Sequence, residues 1–244
     1  LNLCMEALDL TDDVKVFFIR ESQLNDTSDE AKKIVERIID SKAKCLLVSD
    51  KIFDKITDTR TPQGIAALMK IKRWARDDFF KNANTDNGNI LIFDRIQDPG
   101  NAGTLLRTAE AANFRGVVAI KGTVDLYNSK VVRSAAGSLL RIPVLFTNDV
   151  SETIEIVRNA GKKIVVATPY SDNIYFTLPL CQDVAIVIGN EGQGTHEMFL
   201  EKADYTVKIP MSNTVESLNA AMAGGILMYE AVRQNFHKKT EEKR

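Results

Sequence analysis

Short apolar runs alternate with amphipathic stretches from about residue 90 to residue 235. The apolar runs have the length and composition of buried strands, and they lie at Ile90–Phe93, Val117–Ile120, Lys163–Thr168, Val184–Ile188 and Tyr205–Ile209, with Pro143–Phe146 as a further candidate. The stretches between them predict helices over about residues 101–113, 128–139, 151–160, 195–203 and 216–235. Buried strands separated by helices are typical of a parallel sheet covered on both faces. The pattern therefore predicts an α/β fold.

A smaller α/β pattern precedes this one. Thr27 and Glu30 have the spacing of a capping box and predict a helix that runs through about Lys42. The run Cys45–Val48 predicts a buried strand, whereas the polar stretch from Arg76 to Gly88 has neither helical nor strand periodicity and predicts a linker. We accordingly divide the chain into a small α/β domain at residues 1–75, a linker at 76–88, a larger α/β domain at 89–236 and a charged tail at 237–244.

Composition excludes several classes of protein. The three cysteines, Cys4, Cys45 and Cys181, lie far apart without CxxC spacing, so neither a disulfide framework nor a metal site is expected, and a reducing compartment, the cytoplasm, is favoured. No apolar run reaches the roughly 18 residues that span a bilayer, so no membrane partner is expected. The net charge of −1 gives no sign of a nucleic-acid partner by itself, although Lys130, Arg133 and Arg141 form a local basic group.

Three loops differ from ordinary connections. The first, Asp98–Ala109, follows a strand and begins a helix that carries Arg107; the second, Gly189–Thr195, has three glycines in six positions; the third, Ile209–Ala221, is polar and leads into a helix of small residues. Each follows the carboxyl end of a predicted strand, which is where open α/β sheets bind ligands. Together they predict a ligand site at this edge of the sheet.

Each loop also has a purely structural interpretation. Arg107 could lie over its apolar neighbours at the surface, the glycines could form a simple turn, and Gly224 and Gly225 could serve close helix packing alone. A dinucleotide site is disfavoured, because the glycine spacing is G-x-x-G-x-G and the acidic residue expected about 20 positions further on is missing. The sequence offers no Ser–His–Asp set and no nucleophilic cysteine. It thus favours transfer between two bound substrates, in which positioning does most of the work.

The three loops resemble, in order, the motifs of the SpoU (TrmH-like) RNA ribose methyltransferases, which belong to the knotted SPOUT superfamily. The matching segments are Asn101–Ala109, Ile188–Gly192 and Ile209–Asn219, and Tyr127–Ser138 is similar to a further family segment. The resemblance covers about residues 88–235. Residues 1–75 look like the accessory RNA-binding domain, related to ribosomal-protein folds, that many rRNA-directed members carry.

The resemblance implies a trefoil knot near the C-terminus and a homodimer packed through the knot region. It also implies that loops at residues 167–169, 188–194 and 209–219 hold S-adenosylmethionine. The implied cofactor-binding residues are Thr168, Pro169, Ile188, Gly189, Asn190, Gly192, Ile209, Met211, Ser217 and Leu218.

Arg107 matches the family's catalytic arginine, for which the role of general base has been proposed. A guanidinium stays protonated at neutral pH and is therefore a poor proton acceptor, so we favour Arg107 as a clamp on the phosphate beside the target ribose. The other implied catalytic residues are Asn101, Glu191, Ser217 and Asn219, and Lys130 and Arg133 are candidates for RNA phosphate contacts.

The resemblance implies methylation of a ribose 2′-hydroxyl in RNA. Ribosomal RNA is favoured over tRNA because of the two-domain layout. An RNA-binding homologue without catalysis and a dinucleotide-dependent oxidoreductase are the alternatives from other classes. The sequence leaves open which nucleotide is modified and whether the enzyme has a housekeeping or an antibiotic-resistance role. It also leaves open whether the N-terminus is longer.

Overall fold

A computed structural model describes residues 2–10, 13–25, 29–41, 43–58, 62–81, 88–212 and 214–241. The chain divides into two compact units, Leu1–Lys72 and Arg73–Arg244. Thr27, half of the predicted capping box, and residues 82–87 of the predicted linker lie outside the described residues.

The first unit is a three-stranded sheet with helices. Its elements are α1 (Asn2–Leu8), β1 (Val14–Arg20), α2 (Asp29–Asp40), β2 (Cys45–Val48), α3 (Asp50–Ile56) and β3 (Ile65–Met69). The strand order is β2-β1-β3, with β1 parallel to β2 and antiparallel to β3. Phe17 of β1 and Ile34 and Ile38 of α2 are buried together in its core. The sequence predicts β2 correctly as a strand but wrongly as buried: Leu47 is 53% exposed, because β2 is an edge strand.

The second unit contains a six-stranded sheet, and every strand pair in it is parallel. Its elements are α4 (Arg76–Lys81), β4 (Ile90–Asp94), α5 (Pro99–Ala111), β5 (Gly116–Ile120), α6 (Ser129–Ser134), α7 (Ser138–Arg141), β6 (Val144–Thr147), α8 (Val150–Asn159), β7 (Lys163–Ala167), β8 (Val184–Gly189), α9 (Glu197–Lys202), β9 (Tyr205–Val207) and α10 (Ala220–Glu241). The strand order is β6-β5-β4-β8-β7-β9. This confirms the predicted parallel α/β fold, including the candidate strand β6.

Apolar cores lie on both faces of this sheet. Residues of α5 and α10 pack with the sheet on one face, and residues of α8 and α9 pack with it on the other. The central strands β4 and β8 are buried along almost their whole length, as two covered faces require. The helices thereby fix the carboxyl edge of the sheet, where the three unusual loops begin.

Three predicted boundaries are wrong. Residues 76–81 of the predicted linker form α4, because Phe79 is fully buried against the sheet. The helix predicted over 128–139 is two helices, since Ala136 and Gly137 have φ of 46° and 88°, in the left-handed region. The helix predicted over 216–235 begins later, at Ala220, and extends into the predicted tail as far as Glu241.

The two adjacent glycines of α10 predict opposite stability effects. A Cβ at Gly224 would lie 2.3 Å from Cδ2 of Leu105, a fully buried side chain of α5, whereas a Cβ at Gly225 would lie 3.9 Å from Cγ2 of Thr108. We expect Gly224→Ala to lower the free energy of unfolding by about 1–3 kcal/mol through overpacking. Gly225→Ala should raise it by up to about 1 kcal/mol through helix propensity. Urea denaturation of both variants checks this, and equal effects would contradict the packing of α10 on α5.

Candidate active site

Three loops meet at the carboxyl edge of the large sheet. The first follows β4 and leads into α5, the second follows β8, and the third follows β9 and leads into α10. Because β4 and β8 are neighbours, with Asp94 beside Gly189, the first two loops start side by side. The side chain of Asp98 accepts a hydrogen bond from the backbone N–H of Asn101 at 2.7 Å and so caps α5. The topology thus brings together segments that are far apart in the sequence.

Asn101 joins the three loops through its side chain. Its Nδ2 donates to Oε1 of Glu191 in the second loop at 3.0 Å, and its Oδ1 accepts from Nδ2 of Asn219 in the third loop at 2.8 Å. Oδ1 of Asn219 in turn accepts from the backbone N–H of Ala221 and Met222, so that Asn219 caps α10. Three residues predicted for catalysis therefore form one continuous hydrogen-bonded chain.

The Glu191 carboxylate is held by the first loop. Besides the Asn101 amide, it accepts hydrogen bonds from the backbone N–H of Gln97 at 3.0 Å and of Asp98 at 3.1 Å. Burial alone would raise the pKa of Glu191, but these three donors and its own backbone N–H outweigh it and lower the pKa below its ordinary value. Glu191 is therefore ionised at neutral pH, and its role in this arrangement is to accept hydrogen bonds rather than to deliver a proton.

Arg107 lies on α5, about two turns after Asn101, with an exposed side chain. Within residues 88–212 and 214–241 its guanidinium has no ion pair or hydrogen bond. Such a guanidinium is available to bind a phosphate or a ribose oxygen in two-pronged fashion. Ser217 is also exposed, and over the same residues no hydrogen bond joins it to Asn101, Glu191 or Asn219. The structure thus does not bring Ser217 into the chain of contacts.

The glycine loop, residues 189–196, has a compact, internally bonded form. Oδ1 of Asn190 accepts from the backbone N–H of Gly192 and of Gln193, both at 2.9 Å. A Cβ at Gly189 would lie 2.4 Å from the backbone nitrogen of Thr195, so only glycine fits there. In contrast, a Cβ at Gly194 would meet nothing within 4 Å. One side of the loop is closed on itself and the other side is open to a ligand.

The remaining predicted cofactor residues supply apolar groups and backbone. Ile188 is buried at the end of β8, Ile209 and Met211 are half-buried after β9, and Leu218 is exposed. Thr168, half-buried, follows β7 and donates its backbone N–H to the carbonyl of Val207, and the exposed Pro169 comes next. Apolar side chains and backbone polar groups of this kind suit an adenine ring and its ribose. These residues therefore fit S-adenosylmethionine.

The candidate RNA contacts Lys130 and Arg133 are exposed on α6. This helix lies against the start of α5: Oγ of Ser134 donates to the carbonyl of Gly100 at 3.1 Å, and a Cβ at Gly103 would lie 2.4 Å from Cβ of Ser134. The two basic residues are therefore on a helix anchored beside the residues that precede Arg107, and not on a remote surface.

Sequence reasoning missed two residues at this edge, Asp94 and Arg95. Asp94 is fully buried at the end of β4, and Arg95 has a φ of 61° in the left-handed region. The signal for Asp94 was available, since it is the one charged residue of the strand Ile90–Asp94. Nothing in the sequence indicates the backbone conformation of Arg95, because arginine has no preference for it.

Two further observations concern other kinds of site. Over the described ranges, no three His, Cys, Asp or Glu side chains are grouped so that they could hold a metal ion. None of the described helices has both the length and the apolar character that crossing a membrane requires.

Comparisons with known proteins match the chain in two parts. Residues 88–229 match the model of the SpoU rRNA Methylase family, and residues 1–75 match a family described as RNA 2′-O ribose methyltransferase substrate binding. A curated relative, the 23S rRNA (guanosine(2553)-2′-O)-methyltransferase RlmP of Bacillus subtilis, is 36% identical over 186 residues, which are 76% of this chain and 71% of that protein.

Solved structures of similar architecture extend over nearly the whole chain. An AdoMet-bound rRNA methyltransferase from Sinorhizobium meliloti is 27% identical, with a TM-score of 0.80 over 96% of this chain and 85% of that one. The SpoU methyltransferase AviRb from Streptomyces viridochromogenes has a TM-score of 0.82 at 23% identity, over 98% of this chain and 89% of that one. The second likeness is one of fold.

Proposed function

The chain belongs to the SpoU rRNA Methylase family, and we propose that its substrate is ribosomal RNA. It is an RNA ribose 2′-O-methyltransferase that uses S-adenosylmethionine, as the resemblance of its motifs implies. The observation that supports the assignment of its active site is the hydrogen-bonded chain of Glu191, Asn101 and Asn219, which joins the three loops beside an exposed Arg107. The choice of rRNA is supported by the substrate-binding match at residues 1–75 and by the 23S rRNA activity of the Bacillus subtilis relative.

In the proposed reaction, Arg107 binds the phosphate next to the target ribose and orients the 2′-hydroxyl. The cofactor, when bound, supplies a methyl group activated by a positively charged sulfur. The 2′-oxygen would accept this methyl group and release its proton, and the phosphate held by Arg107 would assist the removal of that proton. Asn101 fixes the position of α5, which carries Arg107, relative to the second and third loops. Lys130 and Arg133 bind flanking phosphates.

Incubation with tritiated S-adenosylmethionine and either purified rRNA or purified tRNA tests the proposed substrate. We expect label in rRNA that has not been methylated in the cell, and none in tRNA. Label in tRNA alone would contradict the proposed rRNA substrate and would indicate that tRNA is the substrate. Cofactor binding without label in either RNA would favour an RNA-binding homologue without catalysis.

We also propose a homodimer that packs through α10, in the region where the family's trefoil knot is expected. The proposal is supported by three exposed apolar residues spaced seven apart on one face of α10: Met222, Tyr229 and Phe236, exposed by 61%, 51% and 70%. A stripe of this kind is typical of a protein–protein contact.

Given an RNA substrate and cysteines without disulfide spacing, we place the protein in the cytoplasm.

Charges on this stripe should separate the dimer. We expect Tyr229→Glu/Phe236→Glu to weaken dimerisation by at least about a hundredfold, because two aromatic anchors are replaced by buried like charges. Sedimentation velocity over a range of protein concentrations measures this. Leu200→Glu, a change at a 39% exposed apolar residue of α9, is the matched control and should leave the dimer intact. A dimer unaffected by the double substitution would contradict the proposed interface.

A further inference from the structure

Asp94 and Arg95 form an ion pair where β4 ends. Nε of Arg95 lies 2.7 Å from Oδ1 of Asp94 and its Nη2 lies 3.3 Å from Oδ2. The Asp94 side chain is fully buried and that of Arg95 is 27% exposed. A buried carboxylate is retained at a cost unless its oxygens are well satisfied. The other hydrogen-bond partners of Asp94 and Arg95 therefore indicate the role of this ion pair.

Those partners lie in the glycine loop. Oδ2 of Asp94 accepts the backbone N–H of His196 at 2.6 Å, at the far end of the loop. Nη1 of Arg95 donates to Oε1 of Gln193 at 3.3 Å, and the carbonyl of Arg95 accepts from Nδ2 of Asn190 at 2.8 Å. The two residues thus contact the start, the middle and the end of the loop.

The left-handed conformation of Arg95 belongs to the same arrangement. Few residues other than glycine, asparagine and aspartate adopt a positive φ without cost, and such strain is typical of functional positions. A Cβ on Gly122, in the segment after β5, would lie 3.3 Å from Cγ of Arg95. The side chain therefore lies between the loops that follow β5 and β8, at the end of its own strand.

We propose that Asp94 and Arg95 are positioning residues that hold the glycine loop in the conformation that binds the cofactor. This rests on the proposed cofactor role of Gly189, Asn190 and Gly192. The pair acts through the loop and does not touch the reacting groups. Its loss should raise the KM for S-adenosylmethionine more than it lowers kcat, because a saturating cofactor can restore the loop by its own binding energy.

Arg95→Asn is the sharpest variant, since asparagine tolerates the left-handed region and the substitution removes the guanidinium without adding backbone strain. Asp183→Asn is a matched control. Asp183 is also a non-glycine residue in the left-handed region, with a φ of 57°, and forms an ion pair with Lys162, but it precedes β8 at the opposite edge of the sheet. Arg95→Lys keeps the charge but cannot bind Asp94 and Gln193 together.

We expect Arg95→Asn to raise the Kd of S-adenosylhomocysteine, measured by calorimetry, about tenfold. Arg95→Lys should give a smaller rise, and Asp183→Asn should bind like the wild type. Amide hydrogen exchange of the cofactor-free protein supplies a second readout: residues 189–196 should exchange faster in Arg95→Asn and unchanged in Asp183→Asn.

Wild-type affinity and wild-type exchange in Arg95→Asn would overturn the proposal. So would equal losses in Arg95→Asn and Asp183→Asn, which would indicate a general loss of stability. If the wild type itself failed to bind S-adenosylhomocysteine, the cofactor site would be wrong, and the exchange comparison would still decide whether the pair holds the loop.

Discussion

Arg107→Ala is expected to lower the rate of RNA methylation about a thousandfold, because the clamp that positions the 2′-hydroxyl for methyl transfer is lost. The affinity for S-adenosylhomocysteine should change by less than about twofold. The reason is geometric: the Arg107 side chain is exposed on α5, and its residue takes no part in the contacts that hold the glycine loop. Single-turnover methylation and calorimetry measure the two quantities separately.

Two further variants sharpen this result. Arg107→Lys should recover only part of the activity, because an ammonium cannot bind a phosphate in two-pronged fashion. Arg158→Ala removes an exposed arginine of α8, on the opposite layer of the sheet, and should methylate RNA at the wild-type rate. Loss of cofactor affinity in Arg107→Ala would contradict the clamp and assign Arg107 to the cofactor site.

Glu191→Gln is expected to lower methylation about a hundredfold, although it changes only one atom. Both carboxylate oxygens accept hydrogen bonds from N–H donors, so an amide NH₂ at this position must face a donor whichever way it turns. The second loop then loses its connection to Asn101, and the chain that reaches Asn219 is interrupted. Cofactor affinity and methylation rate should both fall, unlike in Arg107→Ala.

The same variant predicts a pH dependence. Because the folded-state pKa of Glu191 is lowered, its contribution to stability is complete above the ordinary Glu pKa of about 4.3 and disappears as the pH falls through the lowered value. The difference in unfolding free energy between wild type and Glu191→Gln should therefore be constant from neutral pH to about pH 5 and shrink below that. Urea denaturation at several pH values measures it. A difference that grows towards acid would contradict an ionised Glu191.

Much of the large unit follows from its apolar runs. Strands β4 and β8 are so completely apolar that only a central, doubly covered position suits them, and their parallel pairing places the first two loops together. The contact of Asn101 with Glu191 could therefore be anticipated as proximity. The atoms that form this hydrogen bond could not be predicted, because their positions depend on the cap at Asp98 and on the turn at residues 95–98.

Other features depend on tertiary context that local pattern does not contain. The apolar run of β2 reads as a buried strand, and only its position at the edge of the small sheet exposes it. The break between α6 and α7 requires Ala136 to adopt a left-handed conformation, and an alanine in the sequence gives no indication of this. Residues 76–81 of the predicted linker form α4 because the side chain of Phe79 is buried against the large sheet. Arg95 is a similar case, since its conformation is set by partners in a distant loop.

Transfer of a methyl group to a ribose 2′-oxygen can be distinguished from methylation of a base by the chemical position of the label. RNA methylated with tritiated cofactor is hydrolysed completely in alkali, which requires a free 2′-hydroxyl at each cleaved bond. We expect the label to remain in an alkali-resistant dinucleotide, and we expect no labelled dinucleotide from Arg107→Ala. Label released in mononucleotides would instead show methylation of a base and would rule out the ribose 2′-oxygen as the acceptor.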